Sequence, residues 1–251
     1  MAKYNILLKN GHIIDPLNNI NSKMDLAISG AGIRLIEKNI PDETSNNVID
    51  ASGLYITPGL IDLHAHCLGP IGIYPDELCL PYCTTTMLDV GGSGWKSFDK
   101  YKDNIINTSI TRVFALLNIV GQGMIGDVEQ NISNMDPEKT AEKILERRDI
   151  CVGVKVAHFM SPNWEAVIRG RKAAELSDTF MMVDQVPIKN RTIDEMLTKY
   201  MEPGDVLTHF YSHSKPILNR EGKVRNSYIK AREKGIKFDL GHGAANFSFT
   251  M

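Results

Sequence analysis

His64 and His66 stand two residues apart in Leu60-Ile-Asp-Leu-His-Ala-His-Cys67, an apolar run entered through a Pro58-Gly59 turn. Side chains alternate faces along a strand, so both imidazoles point the same way, as two ligands of one metal ion must. Lys155 is the second candidate. It lies within Cys151-Val-Gly-Val-Lys-Val-Ala157, an apolar strand in which a charged ammonium is costly to bury. Burial lowers the pKa of a lysine and makes its neutral amine available as a nucleophile.

Two kinds of segment must position these groups. Residues 1–57 read as short strands, Tyr4–Leu8, Met24–Ser29, Ile33–Glu37 and Leu54–Ile56, separated by Asn, Gly, Pro and Asp turns. From residue 58 the pattern changes to apolar strand, loop and amphipathic helix, repeated through residue 251. The strand candidates are Leu60–Leu63, read as buried, then Thr85–Val90, Thr111–Asn118, Cys151–Val156, Phe180–Val183, Asp205–Thr208 and Ile236–Leu240. Helices are expected over Pro137–Arg148, Trp164–Leu176, Ile193–Tyr200 and Ser227–Lys234. Alternating strands and helices imply an α/β fold with a parallel sheet. A dinucleotide-binding fold is disfavoured, because no strand is followed by Gly-x-Gly-x-x-Gly.

The 251 residues can bury one large core, or a large domain with a small companion. A formal net charge of −2 and the lack of a Lys/Arg cluster give no footprint for nucleic acid. The N-terminal apolar run is too short for a signal peptide, and no stretch nears the roughly 20 apolar residues of a membrane span. A cytoplasmic location is therefore expected. Cys67, Cys79, Cys83 and Cys151 lack zinc-ribbon spacing and read as reduced thiols, mostly packing residues. Cys67, next to His66, is also placed to line a pocket mouth.

Thr57-Pro-Gly-Leu-Ile-Asp-Leu-His-Ala-His66 resembles the first barrel strand of the amidohydrolase superfamily, metal-dependent hydrolases built on a TIM barrel. Leu7-Leu-Lys-Asn-Gly-His-Ile-Ile-Asp-Pro16 is similar to the opening of the small β-domain that precedes that barrel. Cys83–Gly92, Arg112–Asn118, Gly153-Val-Lys155 and Gly204-Asp-Val-Leu-Thr-His209 are similar, in order, to later elements. Asp239-Leu-Gly-His-Gly-Ala-Ala-Asn-Phe-Ser-Phe249 is similar to the deacetylase or dihydroorotase-like subgroup. The resemblance implies a TIM-like (β/α)8 barrel over residues 58–251, preceded by an N-terminal β-sandwich portion over 1–57. Seven strands are counted, so the eighth strand and the C-terminal β-strands are expected to be missing. Such a barrel has open edges that favour a homo-oligomer.

The resemblance also implies a site. His64, His66, Lys155 and His209 would be metal ligands, with Lys155 carbamylated by carbon dioxide to bridge two ions. Most relatives carry a ligating histidine on the fifth strand, where this chain reads Met181-Met-Val-Asp184. A carboxylate also ligates zinc or a harder divalent ion, so Asp184 is expected to replace it. The cofactor expected is one or two divalent ions, zinc first, with manganese or iron as the harder choices. His213 reads as a loop residue and a weaker candidate than His209, and His158 as a loop residue near the pocket. His242, between two glycines that let the backbone approach a ligand, is expected to bind substrate or stabilise charge. Asp62 reads as structural, and Asp89 as a residue near the pocket floor. The family's general base is an aspartate after the eighth strand, a position beyond residue 251.

The expected function is hydrolysis of an amide or ester bond in a small N-acyl or cyclic amide compound, deacetylase-like, through metal-activated water. One alternative is a dihydroorotase or hydantoinase-type cyclic amidase. The other is an inactive shortened homologue that keeps partial metal binding. A small-molecule substrate is the expected partner, with neither nucleic acid nor membrane.

Overall fold

The computed structural model describes residues 2–67, 72–186, 188, 190–212 and 215–243. His213 and residues 244–251 lie outside the described residues, and with them the expected role of His213 and the last part of the Asp239–Phe249 segment. The chain divides into two units, Met1–Gly59 and Leu60–Met251.

In the N-terminal unit, β1 (Ile6–Asp15) pairs antiparallel with β2 (Ile20–Ser29), which pairs antiparallel with β3 (Gly32–Glu37). On its other side β1 pairs in parallel with β4 (Val48–Asp50) and β5 (Tyr55–Ile56), making one five-stranded sheet. Tyr4, Leu7, Ala27 and Ile40 form its core. Asp25, only 2% exposed, is satisfied by Lys9 Nζ at 2.8 Å and by the backbone N–H groups of Asn10 and Ile40. A carboxylate with three donors survives burial where a bare one would not.

The second unit holds a seven-stranded parallel sheet in simple sequence order: β6 (Leu60–Ala65), β7 (Thr84–Gly94), β8 (Arg112–Asn118), β9 (Cys151–Ala157), β10 (Phe180–Asp184), β11 (Val206–Leu207) and β12 (Lys237–Phe238). The helices between them are α1 (Pro75–Leu78), α2 (Phe98–Tyr101), α3 (Pro137–Glu146), α4 (Glu165–Ser177), α5 (Ile193–Glu195) and α6 (Asn226–Lys234). α2 and α5 run on into wider turns at Lys102–Ile106 and Met196–Tyr200. The sheet is curled, because the ends of β6 and β12 meet through His64 and Asp239. This is an incomplete (β/α) barrel.

Local chemistry sets these elements. α3 begins with Pro137 in its first turn and with the Asp136 carboxylate accepting the Lys139 N–H. α6 stops at Gly235, whose φ of 99° is cheap only for glycine. Gly170 lets α4 lie directly on β9, since a Cβ there would come within 2.3 Å of Val156 Cγ2. The helix-facing layer buries Met87, Leu117, Val154, Val156, Met181, Val183 and Leu207 against Phe98, Ile144, Ala173, Ala174, Leu197 and Ala231. Leu88, Val90, Leu116 and Met182 form a separate cluster on the opposite face. Each fully buried large apolar side chain contributes roughly 1.5–3 kcal/mol, so the layer under the helices carries most of the stability.

The expected burial of the first strand is corrected. Leu60, Ile61 and Leu63 are 57, 62 and 63% exposed, because β6 is an edge strand whose only ladder partner among the described residues is β7. Among the described residues, no helix is long and apolar enough to cross a membrane.

Candidate active site

The carboxyl ends of five strands deliver the chemistry. Parallel strands of one sheet end on the same side, so side chains near those ends can share one site. His64 sits near the end of β6 with His66 just past it, their ring centroids 5.4 Å apart and nearly perpendicular. Lys155 lies near the end of β9, Asp184 ends β10, His209 follows β11 and Asp239 follows β12. In the ladder Lys155 pairs with Met182, and Asp184 lies two residues further along that face. Lys155 Nζ is 3.7 Å from Met182 Sδ. The rings of His64 and His209 are 5.2 Å apart.

Two imidazoles are held by their Nδ1 atoms. His64 Nδ1 lies 2.6 Å from Asp239 Oδ2, which also accepts the Thr208 hydroxyl at 2.6 Å. The lowered pKa of Asp239 keeps it ionised: burial pushes it up, but bonds from His64 and Thr208 outweigh that. An ionised carboxylate only accepts, so the His64 proton is on Nδ1 and Nε2 keeps its lone pair. His209 Nδ1 lies 2.6 Å from the Gly241 carbonyl oxygen, another pure acceptor, with the same result for the neutral ring. A histidine anchored in this way presents Nε2 to a metal ion. Burial holds His64 below the ordinary imidazole pKa, against the pull of Asp239. Burial, aided by the Lys155 charge, lowers His66 to about 3. Both rings are therefore neutral donors at pH 7.

Glycines permit the close approach. A Cβ on Gly241, at φ 49°, would lie 2.5 Å from Thr208 Oγ1 and 2.9 Å from Nδ1 of both His64 and His209. A Cβ on Gly91 would press within 2.7 Å of Lys155 Cγ. Lys155 is 1% exposed, and burial lowers its pKa to about 8.

Asp184 is brought to the same place, with both oxygens engaged. Oδ1 accepts Lys215 Nζ at 2.6 Å, while Oδ2 faces His158 Nε2 at 3.3 Å and His209 Nε2 at 3.4 Å. Burial would raise its pKa, yet the bond from His158 and the charges of Lys215 and Lys155 hold it well below the usual range. His158 bridges Asp184 and Glu129 Oε2, which raise its pKa to about 9. Asp89 is structural: it accepts the Cys67 and Gly92 N–H groups, tying the segment after β6 to the last residues of β7. Cys67, Cys79 and Cys151 are buried free thiols and Cys83 is an exposed one. His242 is exposed and directly follows the Gly241 cradle.

Sequence reasoning passed over Lys215, Asp239, Thr208 and Glu129. Lys215 gave no signal, being one lysine in a polar loop. Asp239 stood in view beside Leu240-Gly-His242, but only the curled sheet shows it reaching His64.

Does this set fit a divalent ion? Among the described residues, no three His, Cys, Asp or Glu side chains form a group able to hold one by themselves. Lys155 stands beside these side chains as an additional group. His66 Nδ1 is buried and, among the described residues, has no hydrogen-bond partner, so that nitrogen itself is left open to a ligand. Two anchored imidazoles, a third neutral one and a buried amine of low pKa fit a metal ion.

No family model matches the chain. A deacetylase of Agrobacterium fabrum is 31% identical over 243 residues, covering 92% of this chain and 59% of that protein. The chain thus spans about three fifths of the length of that relative. A solved adenine deaminase is similar at 28% identity with a TM-score of 0.84, covering 98% of this chain and 68% of that one. A solved dihydroorotase is similar at 27% identity and TM-score 0.75, covering 98% of this chain and 67% of that one. Deacetylase, deaminase and dihydroorotase likenesses spanning nearly the whole of these residues meet in one group: the chain belongs to the amidohydrolase superfamily.

Proposed function

We propose that this chain carries the metal-binding part of a divalent-metal-dependent hydrolase, deacetylase-like, that cleaves the amide (or ester) bond of a small N-acyl compound. The observation that carries the reading is the convergence of His64, His66, Lys155 and His209, with the Nδ1 atoms of His64 and His209 anchored on Asp239 and Gly241. A bound divalent ion supplies an acidified water and a polarised carbonyl. The chain's residues do the rest. Asp239 and Thr208 fix the tautomer and tilt of His64, and the Gly241 carbonyl does the same for His209. Burial keeps His66 neutral and so able to donate. His242, at the end of the Gly241 segment, is placed to contact substrate.

Lys155 has a second role in this reading. Its pKa of about 8 leaves a fraction of neutral amine at neutral pH. That nitrogen attacks carbon dioxide: an N–C bond forms, a C–O π pair moves to oxygen, and the nitrogen loses one proton. The product is a carbamate, an oxygen donor where an ammonium stood. This turns a like-charge neighbour of a metal into a ligand.

A cyclic-amide substrate of the dihydroorotase kind is the second reading, supported by the likeness to a solved dihydroorotase. The experiment is a hydrolysis panel of N-acetylated amino acids and cyclic ureides, run with zinc-loaded and chelator-stripped chain. Turnover of acyclic amides that disappears on chelation supports the reading. A chain that binds zinc tightly yet hydrolyses none of the panel would refute it.

A further inference from the structure

Asp184 stands where the resemblance implies a metal-binding histidine, and its surroundings are those of an ion pair. Lys215 Nζ lies 2.6 Å from Oδ1, with side chains only 2% and 8% exposed. That length is at the short end for a charge-assisted hydrogen bond. Lys215 is tied down elsewhere too: its N–H donates to the Ser212 carbonyl at 3.0 Å, and Nζ reaches the Thr208 carbonyl at 3.4 Å. It therefore belongs to the end of β11, beside His209, and is built into the site.

An ion bound to Asp184 Oδ1 would stand about 2 Å from that oxygen. Lys215 Nζ is 2.6 Å from the same atom, so ammonium and metal would lie no more than about 4.6 Å from one another in a buried place where repulsion is poorly screened. Oδ2 is shared by His158 and His209. Asp184 and Lys215 together are neutral, so this carboxylate offers no net charge to a second dication.

We propose that the Lys215 ammonium, seated on Asp184, takes the place of a second metal ion at the end of β10, so that the site holds one divalent ion. The proposal rests on the metallohydrolase reading above and adds a stoichiometry to it. The single ion belongs to the side of the site formed by His64, His66 and Lys155. Lys215 is then a positioning residue: it fixes Asp184 beside His209.

The test counts metal in the full chain after zinc loading and gel filtration, by elemental analysis, with a manganese titration in parallel. Wild type should hold one ion. Lys215→Arg should keep one, and Lys215→Met, which frees Oδ1, should hold two. Asp184→Asn should still hold one ion, with affinity changed by less than about tenfold, whereas loss of a ligand would cost more. Two ions in wild type would overturn the proposal while leaving the metallohydrolase reading intact, and so would a single ion in a folded Lys215→Met. If Lys215→Met does not fold, the wild-type count and the Asp184→Asn affinity decide. Zinc absent from every form, wild type included, would remove the metallohydrolase reading and the proposal together.

Discussion

His64 Nδ1 and Asp239 Oδ2 lie 2.6 Å apart, although one comes from the first strand of the seven-stranded sheet and the other follows the last. Strands are spaced by about 4.8 Å, so a flat sheet would separate β6 from β12 by roughly 29 Å. The contact exists because the sheet curls, and it couples that curl to the protonation of a candidate ligand. Asp239→Asn should therefore disturb the site without removing any proposed ligand. An amide can accept from His64 but carries no charge to hold the Nδ1–H tautomer. We expect zinc affinity to fall about 10- to 100-fold, the usual cost of losing such an outer partner. Competition with a chromophoric chelator measures it, and an unchanged affinity would show that the carboxylate does not govern the ring.

Gly241 is the tightest point beside the imidazoles. Gly241→Ala places a methyl group where Thr208, His64 and His209 already stand, at a positive φ that alanine adopts only under strain. The chain should fold with a loss of about 1–3 kcal/mol and bind metal poorly. Thermal melting together with metal content checks this. Normal zinc content in the variant would mean that the cradle is not needed.

Lys155 makes a pH prediction for the metal- and carbonate-free chain. Its folded pKa is lowered from 10.5 to about 8, because burial disfavours the ammonium. Below pH 8 the lysine is charged in both states and the folded state bears the full desolvation cost, of order 3 kcal/mol. Between pH 8 and 10.5 the unfolded chain binds more protons, so stability rises with pH and the cost vanishes. Lys155→Met should thus be more stable than wild type at pH 7, with the gap closing by about pH 10. Urea denaturation at the two pH values tests it, and a gap independent of pH would contradict the assignment.

Asp25 makes the opposite prediction in the N-terminal unit. Burial alone would raise its pKa, but Lys9 and two backbone N–H groups lower it below the usual carboxylate value of 3.8. A group depressed on folding adds stability that is complete above its unfolded pKa and is lost as pH falls through the folded one. Asp25→Asn should cost about 2–3 kcal/mol at pH 7 and much less at pH 2. Melting curves that run parallel at the two pH values would refute it.

The strand and helix grammar was legible because buried apolar runs and amphipathic helices alternate with clear caps. Pro137 after Asp136 and Gly235 after Lys234 mark helix ends in sequence and in structure alike. The burial of β6 was misread, since Leu60-Ile61-Asp62-Leu63 has the composition of an inner strand while its place at an edge is a property of the whole sheet.

By itself the sequence determined which groups could do chemistry: a His-x-His pair at a strand end and a lysine stranded among valines declare themselves by local spacing and by the cost of burying charge. Only the tertiary structure decided what each group is bonded to. Asp239 reaches His64 across 175 positions, and Lys215 reaches Asp184 across 31. Such pairings come from the curl of a sheet and the packing of a loop, and no periodicity along the chain records either.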